Sequence, residues 1–393
     1  MRALEPAQRV RRWHTYLLVW TLHRVLGLGL GVLILLMSAT GGVLVMHHEI
    51  ERMLEPGWHV VDVPPHAVHR SITPLVRSIA AGHAPDGYRP FRLMTARAPE
   101  ETHKLMFIGP DGRTRWSAFV NPYTGEVLWH GADQSLFTPW LLALHMHLHV
   151  GGWGYIITGL TGAGLFLLGL TGLYVHRDGF RALWRSPIRF DRGGRLRWSD
   201  LHKWLGVVSL YFCIMLGVTG AIYCITIAPG QIATPKPRPA PFDLAQLTAI
   251  EPALQETRER FPGAEILRVS FPTSAKAVLT ILVLHRDAPV WRKFSRVDFD
   301  PASGALKTIQ AAAAATARQK FSAMLAPLHF GFYGSPLVKW LYVMGGFAPA
   351  MLAVSGTAIW FLRNRKKPNR TRRRARVSVR AERSATTMLH KTG

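Results

Sequence analysis

Cysteine is almost absent from this 393-residue chain. Only Cys213 and Cys224 occur, both in one apolar run, where eleven residues of helix separate them by about 16 Å. That distance excludes a disulfide between them, and no CxxC pair is present to hold a metal or to cycle as a dithiol. Acid is scarce too: 23 Asp and Glu stand against 48 Lys and Arg, a formal net charge of +25. A Walker loop, a nucleophile elbow and an HExxH motif are all missing. The run Gly27-Leu28-Gly29-Leu30-Gly31 lies inside an apolar stretch with no strand before it. It therefore reads as helix packing rather than as a dinucleotide loop.

What the chain does have is length without charge in four places. Val25–Met46, Trp153–Val175, Trp204–Ala228 and Leu337–Leu362 contain no acid, and Lys339 is their one base. Each exceeds the roughly 20 residues that cross a bilayer. The first is too long for a signal-peptide core and follows a substantial leader with Arg and His, so it is expected to be an uncleaved anchor. Positive charge collects between the spans. Residues 1–24, 177–203 and 363–393 together hold 25 bases and 5 acids, +20 of the total. Short basic segments stay in the cytoplasm, which sets both termini inside and the intervening segments outside. The tail RNRKKPNRTRRRARVSVR is then a topology signal that touches anionic lipid, and no nucleic-acid partner is expected.

The expected organisation is a cytoplasmic N-terminus (1–24), transmembrane helix 1 (25–47), outer domain 1 (48–140) and transmembrane helix 2 (141–176). A cytoplasmic loop (177–203), transmembrane helix 3 (204–228), outer domain 2 (229–325), transmembrane helix 4 (326–362) and a basic tail (363–393) complete it. The halves repeat. Leu22-His23-Arg24 corresponds to Leu201-His202-Lys203, and Thr40-Gly41 and Thr219-Gly220 each follow their histidine by seventeen residues. Leu144-His145 corresponds to Leu328-His329, with Thr171-Gly172 and Ser355-Gly356 at one offset beyond. A second register sets His149 against His329. The fold class that follows is a membrane all-α four-helix bundle, pseudo-twofold by duplication, with two small α+β outer domains. Each domain has one helix (about Ile72–Ala81; Leu244–Arg260) and short strands. The first set is Phe91–Thr95, Lys104–Ile108 and Trp116–Val120; the second is Ile266–Phe271, Val278–Leu284 and Arg292–Phe299. Each last strand ends in an Asn-Pro or Asp-Pro turn closed by Gly125 or Gly304. Ala311–Met324 is expected to be a helix leading into the fourth span.

The chemistry rests with the histidines. Ionisable groups in a bilayer are costly and usually functional. His23, His176 and His202 lie at the inner face; His47, His48, His145, His147, His149 and His329 lie at the outer one. His23 and His47 are about 36 Å apart along a helix, so two separate sites follow. Zinc would want Cys, Asp or Glu beside them; the span ends offer Leu, Gly, Trp and Phe. Paired imidazoles in an apolar bundle suit haem. The duplication favours His23 with His202 and His145 with His329. His176 competes as partner of His23, and His149, one turn beyond His145 on the same helix face, is the alternative outer ligand. His147 points away.

LHRVLGLGL with ATGG, LHMHLHVGGWG with LTGLYVHR, LHKWLGVVSL with VTGAIYC, LHFGFYGSP with AVSGTAIWF, and the turns NPYTGEV and DPASGAL carry a resemblance over nearly the whole chain. The sequence resembles the PepSY-associated transmembrane family, in particular its ferric-siderophore reductase branch in the bacterial inner membrane. The resemblance implies PepSY-like periplasmic domains and two haem b groups, each held by two histidines, one near each membrane face. It also implies reduction of a periplasmic ferric siderophore or other Fe(III) chelate, releasing Fe(II) for iron uptake. His23, His202, His145 and His329 fall on the family's recurrent histidines; His176 stands where the family commonly has Trp. The electron donor, cytoplasmic or in the membrane, is unnamed. For docking an anionic chelate the outer domains offer Arg89, Arg92, Arg115, Arg292, Lys293, Trp116, Tyr123, Trp129 and Trp291. Two other readings compete: a non-enzymatic membrane protein that regulates a protease or senses a ligand, and a metal or haem transporter.

Overall fold

A computed structural model of the chain describes residues 6–177, 188–189, 191, 193–232, 248–273, 277–289, 292–331 and 335–365. Helix α1 (Pro6–Gly29) meets α2 (Gly31–Leu44) at Leu30 with a bend of 64°. The expected straight span over 25–47 is thus a bent pair, and its basic leader is helical from Pro6. Gly27, Gly29 and Gly31 crowd the bend, where glycine weakens the helix and lets it turn. The second half breaks at the equivalent place. Helix α8 (Gly194–Val208) gives way to α9 (Leu210–Ile232) at Ser209, whose hydroxyl donates to the Leu205 carbonyl at 2.7 Å. Such back-bonding bends helices. Leu30 and Ser209 each follow their histidine, His23 or His202, by seven residues.

Two further long helices are α7 (Gly152–His176), preceded by the short α6 (Phe137–His147), and the last helix, Pro336–Asn364, here called α12. Among the described residues three helices are long and apolar enough to cross a membrane, and the bent pair adds a fourth candidate. Backbones touch at two glycine pairs. A Cβ on Gly217 would come within 2.9 Å of the Gly162 carbonyl oxygen, and one on Gly346 within 3.1 Å of the Gly42 Cα. These contacts bring α9 onto α7 and α12 onto α2.

Outside the helices the two expected α+β domains are not separate. Strands β1 (Arg89–Met94), β2 (His103–Ile108), β3 (Arg115–Val120) and β4 (Val127–Ala132) come from the first segment. The second supplies β5 (Glu265–Ser270), β6 (Leu279–Leu284), β7 (Phe294–Phe299) and β8 (Leu306–Gln310). They form one antiparallel sheet in the order β4-β3-β2-β1-β5-β6-β7-β8. The seam pairs Arg92 with Ser270, Leu93 with Val269 and Met94 with Arg268. After the short helices α3 (His47–Leu54) and α4 (Pro56–His59), helix α5 (Ile72–Gly82) shares one core with the strands and with α10 (Ile250–Arg260). Leu93, Leu105, Phe107, Val269, Ile281 and Phe299 are fully buried there, each worth about 1.5–3 kcal/mol. One face of the antiparallel sheet is covered, and an edge at β1 or β5 would be left open if the halves stood apart; pairing them removes both edges. Strands β4 and β8, which the sequence reading missed, follow the two turns. Asn121 Oδ1 accepts from the Tyr123 and Thr124 amides at 2.9 and 3.2 Å, and Asp300 Oδ1 from those of Ala302 and Ser303 at 3.0 Å. The helix expected at 311–324 begins later, as α11 (Ala317–Phe330), with a Thr316–Gln319 capping box fixing its start.

Because the core is shared, Leu93→Ala should cost about 2–5 kcal/mol and open both halves together. Limited proteolysis checks this: cleavage confined to residues 89–132 would mean two independent units. A second outcome concerns pH. His103 is buried, its Nδ1 accepts from the Ala96 amide at 2.9 Å, and burial, followed by the neighbouring His69, lowers its pKa to about 4. Its neutral form is the folded one. Stability is therefore complete above about pH 6.5 and falls as pH drops toward 4, by a few kcal/mol at most. His103→Gln should flatten that slope in denaturation measurements.

Candidate functional site

Four histidines of the repeat meet four hydroxyls, each on a different helix. His23 Nδ1 on α1 lies 2.9 Å from Thr171 Oγ1 on α7, and His202 Nδ1 on α8 lies 2.8 Å from Ser355 Oγ on α12. His145 Nδ1 on α6 lies 2.9 Å from Thr40 Oγ1 on α2, and His329 Nδ1 on α11 lies 3.0 Å from Thr219 Oγ1 on α9. The hydroxyl protons are already committed to the helix backbone. Thr171 donates to Leu167 at 2.7 Å, Thr40 to Leu36 at 2.8 Å, Thr219 to Met215 at 2.6 Å and Ser355 to Leu352 at 3.1 Å. A hydroxyl has one proton to give, so each accepts from its imidazole. All four rings therefore carry hydrogen on Nδ1 and present a lone pair at Nε2. Orienting a ring through its other nitrogen is what outer-shell partners do for metal-ligating histidines.

The glycine after each hydroxyl makes room for the ring. A Cβ on Gly41 would stand 2.9 Å from His145 Cε1, on Gly220 3.0 Å from His329 Cε1, on Gly172 3.3 Å from His23 Cε1 and on Gly356 3.4 Å from His202 Cε1. The Thr-Gly or Ser-Gly dipeptide is a two-part clamp: the first residue accepts from the imidazole, the second lets it approach the helix.

The clamped rings meet in pairs. His23 and His202 have centroids 6.3 Å apart, and His145 and His329 6.4 Å apart. All four are half-buried. The His145/His329 pair is at the end of the helices next to the sheet, since α6 follows β4 and α11 follows β8; the other pair is at the far end. His149 does not share a face with His145 as expected. Leu148 and His149 both have left-handed backbone, φ +54° and +55°, because α6 ends at His147 before Gly151 and Gly152 start the next helix. His149 is exposed and packs on Trp140; His147 contacts His149 and Tyr155. His176 closes α7 five residues beyond Thr171, with its Nε2 buried and unpartnered, and belongs to neither ring pair among the described residues. Among those residues no group of three or more His, Cys, Asp or Glu side chains gathers as a metal cluster.

Residues 20–363 match the family described as PepSY-associated TM region. The chain belongs to that family. Its four histidines and four clamps all lie within the matched span. An uncharacterized protein of Pseudomonas aeruginosa is 29% identical over 255 residues, 58% of this chain and 64% of that relative. The match thus spans less than two thirds of the relative's length.

The expected docking residues do not all share one place. Trp116 is buried in the core, Trp129 stacks on Trp58, and the Tyr123 hydroxyl donates to the Pro99 carbonyl; Trp291 lies outside the described residues. Arg92 and Arg115 do share one sheet face. The clamps were visible in the sequence only as repeated dipeptides, with nothing to say which histidine each serves.

Gly41→Ala and Gly220→Ala should displace the His145 and His329 rings and cost about 1–3 kcal/mol by overpacking, whereas Thr40→Ser keeps the acceptor and should cost less. Thermal midpoints in detergent check the order; a neutral Gly41→Ala would show the approach to be unimportant.

Proposed function

We propose that this protein is a two-haem electron-transfer protein of the bacterial inner membrane that reduces ferric chelates outside it. The single observation that supports this reading is the pairing of four histidine rings, each held at Nδ1 by a hydroxyl, into two couples with centroids 6.3 and 6.4 Å apart. Paired imidazoles among apolar helices would suit haem, which takes histidine nitrogen ligands. Under this reading the four spans form a bundle of two equivalent halves, each helix, outer segment, helix, with both termini in the cytoplasm.

His23 and His202 would hold one haem b and His145 and His329 the other. When bound, the group supplies a one-electron iron couple at each end of the bundle. The chain's residues do the rest. Thr171, Ser355, Thr40 and Thr219 fix ring orientation and keep Nδ1 protonated, which raises the donor strength of Nε2. Apolar helices keep water from the space between the ends. The substrate is Fe(III) in a chelate such as a siderophore. One electron from a donor on the far side converts it to Fe(II), which hard oxygen donors hold more weakly, so the iron is released. The chain has no dinucleotide loop in its sequence, and the donor is a separate molecule.

Purified protein should show a Soret band and two haems per chain. His145→Ala or His329→Ala should remove about half the haem, and His23→Ala or His202→Ala should keep the sheet-side haem while ending reduction of an external ferric chelate. Colourless protein would overturn the reading. Retention of the far-end haem in His202→Ala but loss in His176→Ala would move the ligand to His176. A reporter fused after Gly393 should be active in the cytoplasm and one placed near Gly112 outside.

A further inference from the structure

The sheet has a second face. Leu93 and Val269 point into the helix-covered core, so Arg92, Met94, Arg268 and Ser270 point the other way. Arg92 is opposite Ser270 across the seam, and Arg268 is two residues from Ser270; the two arginines are diagonal neighbours, with Cα atoms about 7–8 Å apart. Met106 is opposite Arg92 and Ser117 opposite Met106, which sets Arg115, two residues before Ser117, on the same face. Arg92 and Arg115 both lie over the ring of Phe91, at 5.3 and 4.3 Å.

These three guanidinium groups are half-buried, and none makes a hydrogen bond. Arg92 Nε, Arg115 Nη1 and Arg268 Nε are closed off from solvent without a partner. On the same face Lys104 lies over the Phe119 ring at 5.2 Å, Arg296 pairs with Asp298 at 2.8 Å, and Asp133 accepts from the Ser117 hydroxyl while it and Asp111 attract Arg115 from a distance. Burial, then mutual repulsion, works against the charges on Arg92 and Arg268, yet guanidinium keeps its proton. Three fixed positive charges with idle donors converge beside the bundle. Tyr223 of α9 lies within electrostatic reach of Arg268; it packs on Phe330 at 5.9 Å, and Phe330 on His329 at 5.3 Å.

We propose that Arg92, Arg115 and Arg268 form the binding site for a carboxylate-rich, anionic iron(III) chelate beside the His145/His329 pair. This rests on the reading of the protein as a ferric-chelate reductase and names its substrate class. Planar guanidinium groups hold carboxylates through paired hydrogen bonds, and three of them select polyanions of the citrate type. Neutral or cationic hydroxamate chelates bring no free carboxylate to this site. The seam makes the site a joint product of both halves: Arg92 and Arg115 come from the first, Arg268 from the second.

The test uses full-length protein in phosphatidylcholine nanodiscs, which lack anionic lipid, and gallium(III) citrate, which binds but is not reduced. Calorimetry should show binding of gallium citrate, weakened about tenfold by raised salt as screening predicts, and no competition from a cationic gallium hydroxamate. Arg92→Gln, Arg115→Gln and Arg268→Gln should each weaken it about tenfold or more, with haem content unchanged. Arg92→Lys and Arg268→Lys, which keep the charge and the fold but lose the paired donors, should weaken it less. Absence of gallium citrate binding to wild-type protein would overturn the proposal, while haem quantification on that sample tests the electron-transfer reading separately. Unaltered binding in the lysine and glutamine variants would also overturn it. So would loss of haem with binding intact, because the arginines would then serve the carboxylates of the cofactor.

Discussion

One hydrogen bond, repeated four times, organises the helices: an imidazole N–H donated from one helix to a hydroxyl on another. The hydroxyl also donates to its own helix backbone, and both bonds form together only when the ring carries hydrogen on Nδ1. In an apolar interior such a bond is demanding, because a lost partner leaves a polar group without water. The four bonds tie α1 to α7, α8 to α12, α6 to α2 and α11 to α9. The same contacts that assemble the helices thus aim four lone pairs. Packing and site are one construction, and neither survives the loss of a clamp unchanged.

The sheet obeys a different constraint. Each outer segment offers four strands and a helix, and each would leave a long edge open on its own. Joining β1 to β5 closes both edges and merges two small cores into one, a gain that matters because small domains bury a low fraction of their surface. The seam also ties the two halves together beyond the helices. It places residues distant in sequence, Arg92 and Arg268, on neighbouring strands.

Much of this was legible in the sequence. The four apolar runs, the repeated Leu-His and Thr-Gly motifs, six of the eight strands and both Pro-containing turns follow from hydrophobic period and turn chemistry. The cross-partnering was not. Thr40 follows His23 by seventeen residues, about 25 Å of helix, so the two motif members that keep step in sequence lie at opposite ends of the helices. Thr40 serves His145, and His23 is served by Thr171. Local pattern carries no information about which helix lies alongside. His149 shows the same limit on a smaller scale: i, i+4 spacing implies a shared face only if the helix continues, and Leu148 and His149 turn left-handed instead. The merging of the outer segments depends on an edge-to-edge contact between strands that no local feature announces.

The seam has a consequence during synthesis. β1 must wait for β5, which begins roughly 170 residues later; at 5–20 residues per second that is on the order of 10–30 s. For that interval the first segment has an unpaired edge. Pro90 and the charges of Arg89 and Arg92 lie in β1 itself, and proline and charge are the devices that discourage a stray strand from pairing there. The arginines of this strand therefore guard the nascent chain before the seam closes.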